Sequence, residues 1–205
     1  KPKDIPMKKL ILIALILVAA SSLSAAGRWS AILDVAPLIP QGDLAEAYDI
    51  PSGMGAGTGY EVGFRLRQAH RNSALSIAMN IGKPGKYSDA NGDDPFDVSA
   101  SIFRCSADYT WYMPTQRNAV QFFLTAGGSL NHNVYKDEYL NDGEFFEHGV
   151  NAIGANLGVG AKKGEFEFTL SYHVNRFDTI QIWDGVENYN WDYVTARVGI
   201  ILPTY

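Results

Sequence analysis

Ser171 and His173 are the residues whose types and spacing could perform nucleophilic catalysis. They lie two positions apart in EFEFTLSYHVN, residues 165–175, where polar and apolar residues alternate without interruption. This alternation predicts a β-strand, so both side chains project from the same face. Nucleophilic catalysis also requires a third group that orients the base. We therefore interpret His173 as a hydrogen-bonding residue of the protein interior, and we predict no catalytic residue and no enzymatic activity.

The segment SDANGDDPFD, residues 88–97, could bind a cation. Asp89, Asn91 and Asp93 have the spacing of the oxygen ligands that open a calcium loop. That pattern also requires Gly at its sixth position and Glu at its twelfth, where this chain has Asp94 and Ala100. We interpret the segment as an acidic, solvated loop with at most weak divalent-ion binding, and we predict no metal site and no cofactor.

The first 26 residues have the pattern of a cleavable, helical signal peptide. Lys8 and Lys9 precede the apolar run LILIALILVAA, and the small and polar residues SSLSAA follow it. We predict cleavage after Ala26 and interpret residues 1–6 as an upstream extension. Eleven apolar residues are too few for a helix to cross a hydrocarbon layer of ~30 Å. Residues 27–205 are then the mature domain.

Charge and cysteine content exclude several classes of protein. The formal net charge is −5, and it becomes −8 without residues 1–26, which contain four lysines and one aspartate. No basic run is present, which argues against binding to nucleic acid. Cys105 is the only cysteine, so no intramolecular disulfide can form, and no CxxC or His/Cys cluster indicates zinc.

Eight alternating segments recur along the mature chain, with no helical pattern between them. They predict an all-β, up-and-down antiparallel sheet. Short polar connections alternate with long ones, as in transmembrane barrels with short periplasmic turns and long extracellular loops. The eight segments are residues 28–36, 59–68, 73–82, 102–113, 119–135, 152–161, 165–175 and 193–202, and the long connections include 37–58, 83–96, 136–149 and 178–191.

The two faces of these strands differ in a way that indicates which face is enclosed. One face carries small residues together with charges that balance, four acids against the four bases Arg65, Arg67, Arg104 and Arg197. Equal numbers of acidic and basic residues are expected in a closed interior, because burying a charge without a partner costs free energy. We predict a filled lumen whose charge network comprises Asp34, Glu61, Arg65, Arg104, Asp108, Glu167, His173 and Arg197. The other face is apolar, and we predict that it contacts lipid through residues that include Phe64, Phe122, Phe166, Phe168, Leu170 and Val198.

The signal peptide, the eight strands, the three tight turns and the four long loops resemble the small OmpA/OmpX-type family of outer-membrane β-barrels. The resemblance is architectural and covers residues 28–202. It implies an eight-stranded transmembrane barrel in a bacterial outer membrane, with both termini in the periplasm and a structural or surface-binding role. The chain departs from the usual C-terminal pattern, since Pro203, Ile201, Gly199 and Arg197 precede Tyr205 at every second position.

Two alternatives remain open at this stage. Outer-membrane lipid A deacylases resemble this chain in size and barrel type and use a Ser/His pair, but Asn175 occupies the position of their nucleophile. A soluble, periplasmic lipocalin-like barrel would also have eight strands, and Gly27–Arg28–Trp29 matches the G-x-W at the start of lipocalins. Such a barrel would enclose its apolar face.

Acidic residues are concentrated in the predicted loops. We expect contacts with outer-membrane lipid or lipopolysaccharide, either through divalent cations or directly, and possible extracellular protein partners with basic surfaces. We expect a monomer that binds no nucleic acid. The acidic residues are Asp43, Glu46, Asp49, Asp89, Asp93, Asp94, Asp97, Asp137, Glu138, Asp142, Glu144, Glu147, Asp178, Asp184, Glu187 and Asp192.

Overall fold

The computed structural model describes residues 28–45, 55–89, 96–115, 119–139, 145–182 and 185–203. The predicted signal peptide lies outside these residues. Ten strands and one short 3-10 helix, Gly42–Leu44, are present among them. The strands are β1 Arg28–Pro40, β2 Gly57–His70, β3 Ser73–Gly85, β4 Tyr87–Asp89, β5 Phe96–Tyr112, β6 Gln121–Tyr139, β7 Phe145–Lys163, β8 Phe166–Ile182, β9 Gly185–Asn190 and β10 Tyr193–Pro203.

Eight of these strands form a closed antiparallel barrel. The sheet runs from β1 through β2, β3, β5, β6, β7 and β8 to β10. β10 pairs with β8 on one side and with β1 on the other, through Val198 opposite Phe168 and opposite Val35. The remaining two strands extend the sheet at one end, where β4 pairs with β5 and β9 pairs with β8. The all-β, eight-stranded barrel predicted from the sequence is confirmed.

The barrel has one end with short turns and one end with longer connections, which we call the turn end and the loop end. Gly164 and Glu165 alone separate β7 from β8 at the turn end. Gly164 has a φ of 60°, the left-handed conformation that glycine adopts without steric cost. The alternation of short and long connections therefore agrees with the order of the strands in the barrel.

Several strands are longer at the loop end than the sequence predicted. β5 begins at Phe96 instead of residue 102, β7 begins at Phe145 instead of residue 152, and β8 continues to Ile182. Much of the predicted connections 83–96 and 136–149 is therefore strand. The polarity of the two faces is reversed in the extension of β5, where Val98 and Ala100 are buried inside the barrel and the polar Asp97 and Ser99 alternate with them. The apolar outer face that marks the rest of the strand therefore does not continue there.

The extension also changes the position of several acidic residues that we predicted in loops. Asp97, Asp137, Glu138 and Glu147 lie on paired strands. Asp192, another of these residues, is buried, and it accepts hydrogen bonds from the Tyr172 hydroxyl at 2.5 Å and from the Asn175 backbone N–H at 3.0 Å. No helix within the described ranges is long and apolar enough to cross a membrane.

Candidate functional site: the closed lumen and the outer surface

Two ion-paired groups fill the middle of the lumen, and the first centres on Arg65 and Glu167. Arg65 in β2 reaches Asp34 in β1 at 2.8 Å and Glu167 in β8 at 2.8 Å. Glu167 also pairs with Arg67, whose Nη1 donates to the Tyr112 hydroxyl at 2.7 Å. Because all these side chains are buried, each charge is compensated by a neighbour from another strand.

The second group centres on Glu61, also from β2. Its Oε1 accepts hydrogen bonds from Arg104 of β5 and Arg197 of β10, both at 3.0 Å. Asn80 of β3 donates to the same oxygen at 3.3 Å. One carboxylate therefore holds two guanidinium groups from different sides of the barrel.

His173 belongs to this second group and not to a catalytic arrangement. Arg104 Nη1 contacts both nitrogens of its ring, and Nε2 also lies 3.0 Å from the Thr195 hydroxyl. Its ring stacks on that of Tyr193 with centroids 4.6 Å apart. Ser171 and His173 both face the lumen and are each only 3% exposed, so a membrane lipid cannot reach them in this conformation.

Asp108 faces the lumen, and it has no arginine partner among the described side chains. Its carboxylate accepts hydrogen bonds from Ser106 at 3.0 Å and from Asn156 at 2.8 Å. It also borders a cavity of about 10 Å³, room for one water molecule, that Arg65, Arg104 and Arg197 line as well. The predicted network thus divides into six charged residues in ion pairs, His173 bonded to Arg104, and Asp108 held by neutral donors.

Two parts of the lumen were missed by the sequence analysis. Arg67 was counted among the four lumen bases but left out of the predicted network, although the parity that selected Arg65 also places Arg67 on the inner face. Three buried amides, those of Asn131, Asn133 and Asn175, form a hydrogen-bonded cluster with contacts of 2.8 to 3.2 Å. Alternation puts these asparagines inside, but no charge pattern indicates that they meet.

Apolar clusters close both ends of the polar lumen. At the turn end, Ala74, Tyr112 and Phe123 form an inner seal, in which the Tyr112 and Phe123 rings meet edge to face with centroids 5.7 Å apart. At the loop end, an outer seal is packed around Leu44 of the 3-10 helix. It comprises Leu38, Leu44, Ala56, Val98, Ala100, Ile102, Tyr135, Ala152, Trp191 and Tyr193. The charged groups are therefore enclosed between two apolar layers.

The outer surface of the barrel is apolar over a continuous band. All six residues predicted to face lipid project outward, with exposures from 41% for Phe64 to 62% for Phe166. On β8 the band extends from Phe166 to Val174, about 27 Å along the strand and about 20 Å along the axis of a barrel with strands tilted by 35–45°. Contact between these six residues and lipid remains a prediction. The barrel is apolar outside and polar inside, however, which is the reverse of a soluble barrel that encloses its apolar face.

The extended strands at the loop end carry the charged outer surface. Lys86 pairs with Asp97 at 3.5 Å, and Lys136 pairs with Glu138 at 2.7 Å. A hydrogen bond from Ser88, together with Lys86, lowers the pKa of the Asp97 carboxyl. The calcium-like segment falls mostly outside the described residues, and the side chains that are described contain no group of three or more metal ligands.

These features define a class: a closed, eight-stranded barrel that is charged inside and apolar outside has the organisation of a transmembrane β-barrel. Comparison with solved structures agrees. Neisserial surface protein A (NspA) shares 13% identity and a TM-score of 0.52, over 86% of this chain and 97% of its own. Ail, the attachment invasion locus protein of Yersinia pestis, shares 12% identity and a TM-score of 0.51, over 86% of this chain and 99% of its own. Both are eight-stranded outer-membrane barrels.

The chain has the fold of the small outer-membrane barrels, which confirms the architectural resemblance drawn from its sequence. No protein-family model matches the chain, and no curated protein matches it. At 12–13% identity the similarity is one of fold.

Proposed function

We propose that this chain is a monomeric, non-catalytic protein of the bacterial outer membrane that acts at the cell surface through its loop end. The observation that carries the proposal is the polarity of the barrel, with an apolar band outside and compensated charges inside. A bilayer is the environment in which both faces are satisfied, because the band is continuous around the barrel and the lumen is closed at both ends.

The same arrangement argues against the two alternative functions. A lipocalin-like carrier requires an enclosed apolar cavity, whereas this lumen is occupied by arginines, carboxylates and amides. A lipid-modifying enzyme requires a nucleophile that its substrate can reach, whereas Ser171 and His173 lie inside the barrel with the His173 ring bonded to Arg104 and Thr195.

The loop end is the part of the molecule that supports a binding role. Its strands project beyond the apolar band and carry Asp97, Glu138 and Glu147 on their outward faces, and further acidic residues follow in the connections. A surface with this charge attracts basic protein partners and divalent cations, which can in turn bridge to the phosphates of lipopolysaccharide.

Two measurements test the proposal. The mature chain should be found in the outer-membrane fraction, and in detergent it should migrate faster on a gel before heating than after heating, as a closed barrel does. Recovery of the mature chain in the soluble periplasmic fraction without detergent would refute the membrane assignment. For the binding role, the folded protein should retain Ca²⁺ in equilibrium dialysis, and a variant with Asp97, Glu138 and Glu147 changed to Asn or Gln should retain less.

A further inference from the structure

A cavity of about 690 Å³ lies at the turn end, where β1 begins beside the β2–β3 turn. We call it the turn-end cavity, and it is lined by Arg28, Ala69, His70, Arg71, Asn72 and Ser73. Its volume falls within the range of about 300–1,000 Å³ that is common for sites of small ligands. None of these six residues is acidic, so the two guanidinium groups share the cavity with neutral groups.

Backbone hydrogen bonds hold the walls of the turn-end cavity in place. Arg28 is the partner of Ala69 in the β1–β2 register, so the two residues lie on the same face of the sheet. The β2–β3 turn is tied to β5, because the Asn72 carbonyl accepts a hydrogen bond from the Tyr112 backbone N–H at 2.8 Å. Arg28 and Arg71 therefore extend into the cavity from fixed backbone positions.

Arg28 and Arg71 are both available to a ligand. Each is exposed, and neither forms an ion pair within the part of the chain that the structure describes. Glu167 in the lumen is already paired with Arg65 and Arg67. The guanidinium groups at the cavity therefore have no anionic partner among the described side chains.

The turn end is basic beyond the cavity itself. In the sequence, the three short connections and the strand residues next to them contain Arg71, Arg117, Lys162 and Lys163 and a single acidic residue, Glu165. Glu165 follows the two lysines in the β7–β8 turn, and β10 lies between β8 and β1 in the barrel. This acid is thus on a different turn from the cavity, and the surroundings of the cavity favour an anion.

The turn-end cavity lies at the level where the apolar band ends. Trp29 follows Arg28 and faces outward on β1, and outward-facing Trp111 of β5 is the partner of Ser73 in the β3–β5 register. Trp111 is 45% exposed. Because tryptophan is enriched where a membrane meets water, the cavity is expected at the level of the lipid head groups.

We propose that the turn-end cavity binds the phosphate of an anionic glycerophospholipid, such as phosphatidylglycerol, in the periplasmic leaflet. Guanidinium groups bind phosphate through paired hydrogen bonds, and Arg28 and Arg71 supply two of these groups. A zwitterionic head group would add an ammonium group for which the cavity has no carboxylate, whereas phosphatidylglycerol carries only the charge of its phosphate. The inference rests on the outer-membrane location proposed above but not on what the loop end binds.

Lys163 provides a matched control. It is exposed at the same end of the barrel and also carries a positive charge, but it lies two residues from Glu165. β1, β10 and β8 separate its strand, β7, from β2. Lys163→Gln therefore removes the same charge as Arg71→Gln without changing the turn-end cavity.

The experiment uses the folded mature chain in phosphatidylcholine nanodiscs that contain equal, small fractions of phosphatidylglycerol and phosphatidylethanolamine. After release into detergent, native mass spectrometry gives the fraction of barrels that retain each lipid. The wild-type barrel should retain phosphatidylglycerol about fivefold more often than phosphatidylethanolamine. Arg71→Gln should lower the retention of phosphatidylglycerol about five- to tenfold, and Lys163→Gln should change it by less than about twofold.

Three outcomes would overturn the inference. They are equal retention of phosphatidylglycerol and phosphatidylethanolamine by the wild-type barrel, equal losses in Arg71→Gln and Lys163→Gln, and no loss in Arg71→Gln. Heat-modifiable mobility identifies folded samples, and if Arg71→Gln does not fold, Arg28→Gln replaces it under the same criteria. Failure of the wild-type chain to insert at all would instead refute the proposed membrane function.

Discussion

Gly127 of β6 lies opposite Asp108 of β5, and a β-carbon at Gly127 would be only 2.1 Å from Asp108 Oδ1. The same β-carbon would be 2.5 Å from the backbone oxygen of Ala107. The carboxylate of Asp108 therefore occupies the space that a side chain at position 127 would need. A small residue is required at this position because the lumen of an eight-stranded barrel is filled by side chains.

Gly127→Ala is expected to impair folding of the barrel, because neither the Ala107 backbone nor the hydrogen-bonded Asp108 can move without disturbing the sheet. The matched control is Gly128→Ala, since a β-carbon at outward-facing Gly128 would have its nearest neighbour at 3.9 Å. The measurement is the fraction of heat-modifiable protein after refolding in detergent. Equal yields for the two variants would contradict the packing that places Asp108 against Gly127.

Glu61→Gln is expected to lower the free energy of unfolding by about 3–5 kcal/mol, because it removes the carboxylate shared by two buried arginines. Asp108→Asn should cost less, about 1–3 kcal/mol, because Asp108 has only neutral donors among the described side chains. Urea titration in lipid vesicles, followed by tryptophan fluorescence, measures both values. A larger loss for Asp108→Asn would show that the lumen charges are distributed differently.

Leu170→Arg is expected to destabilise the inserted barrel by about 2–4 kcal/mol, since Leu170 lies at the middle of the apolar band from Phe166 to Val174 and the substitution places a charge there. Phe166→Arg, at the edge of the band beside the tight turn, should cost only about 0–1 kcal/mol. Unfolding from vesicles again gives the two values. If the two substitutions had the same small effect, the outward face of β8 would not lie across a bilayer.

His173→Ala should leave the lipid A composition of the cell unchanged, although it should reduce stability because Arg104 and Thr195 lose a bonded partner. Mass spectrometry of extracted lipid A from cells with the wild-type chain, the variant or neither measures the first effect. Ser171→Ala is the companion variant. A lipid modification that depends on both residues, while both variants remain folded, would restore the enzymatic hypothesis.

Alternation carried most of the fold prediction. The alternating apolar residues from Phe166 to Val174, and those on the other strands, continue long enough to predict the number of strands, the face that points inward and the class of barrel. Strand ends could not be obtained in the same way. In the extension of β5 the pattern is reversed, because Val98 and Ala100 face an apolar cluster inside the barrel and Asp97 lies on the other face. A search for an apolar outer face therefore ends before the strand does.

The charged lumen was predictable as a set but not as pairs. Parity places Asp34, Glu61 and the arginines on the inner face, and charge balance indicates that they compensate one another. The partners depend on register and side-chain reach across the barrel, so the sharing of Glu61 by Arg104 and Arg197 could not be read from spacing. The lack of an arginine partner for Asp108 among the described side chains could not be predicted either, because the sequence around Asp108 does not differ from that around the carboxylates that form ion pairs.

The closure of the barrel by β1 and β10 determines the order of events in folding. Glu61 and Arg197 are 136 residues apart in the chain, so their ion pair must wait until the last strand has joined the first. Contacts between distant segments form slowly because the intervening chain loses conformational freedom before the contact is gained. We therefore expect assembly to remain incomplete until the whole chain has been exported, with Arg104 and Glu61 still hydrated at that point. Loss of water from the lumen would then be the step that completes the native state.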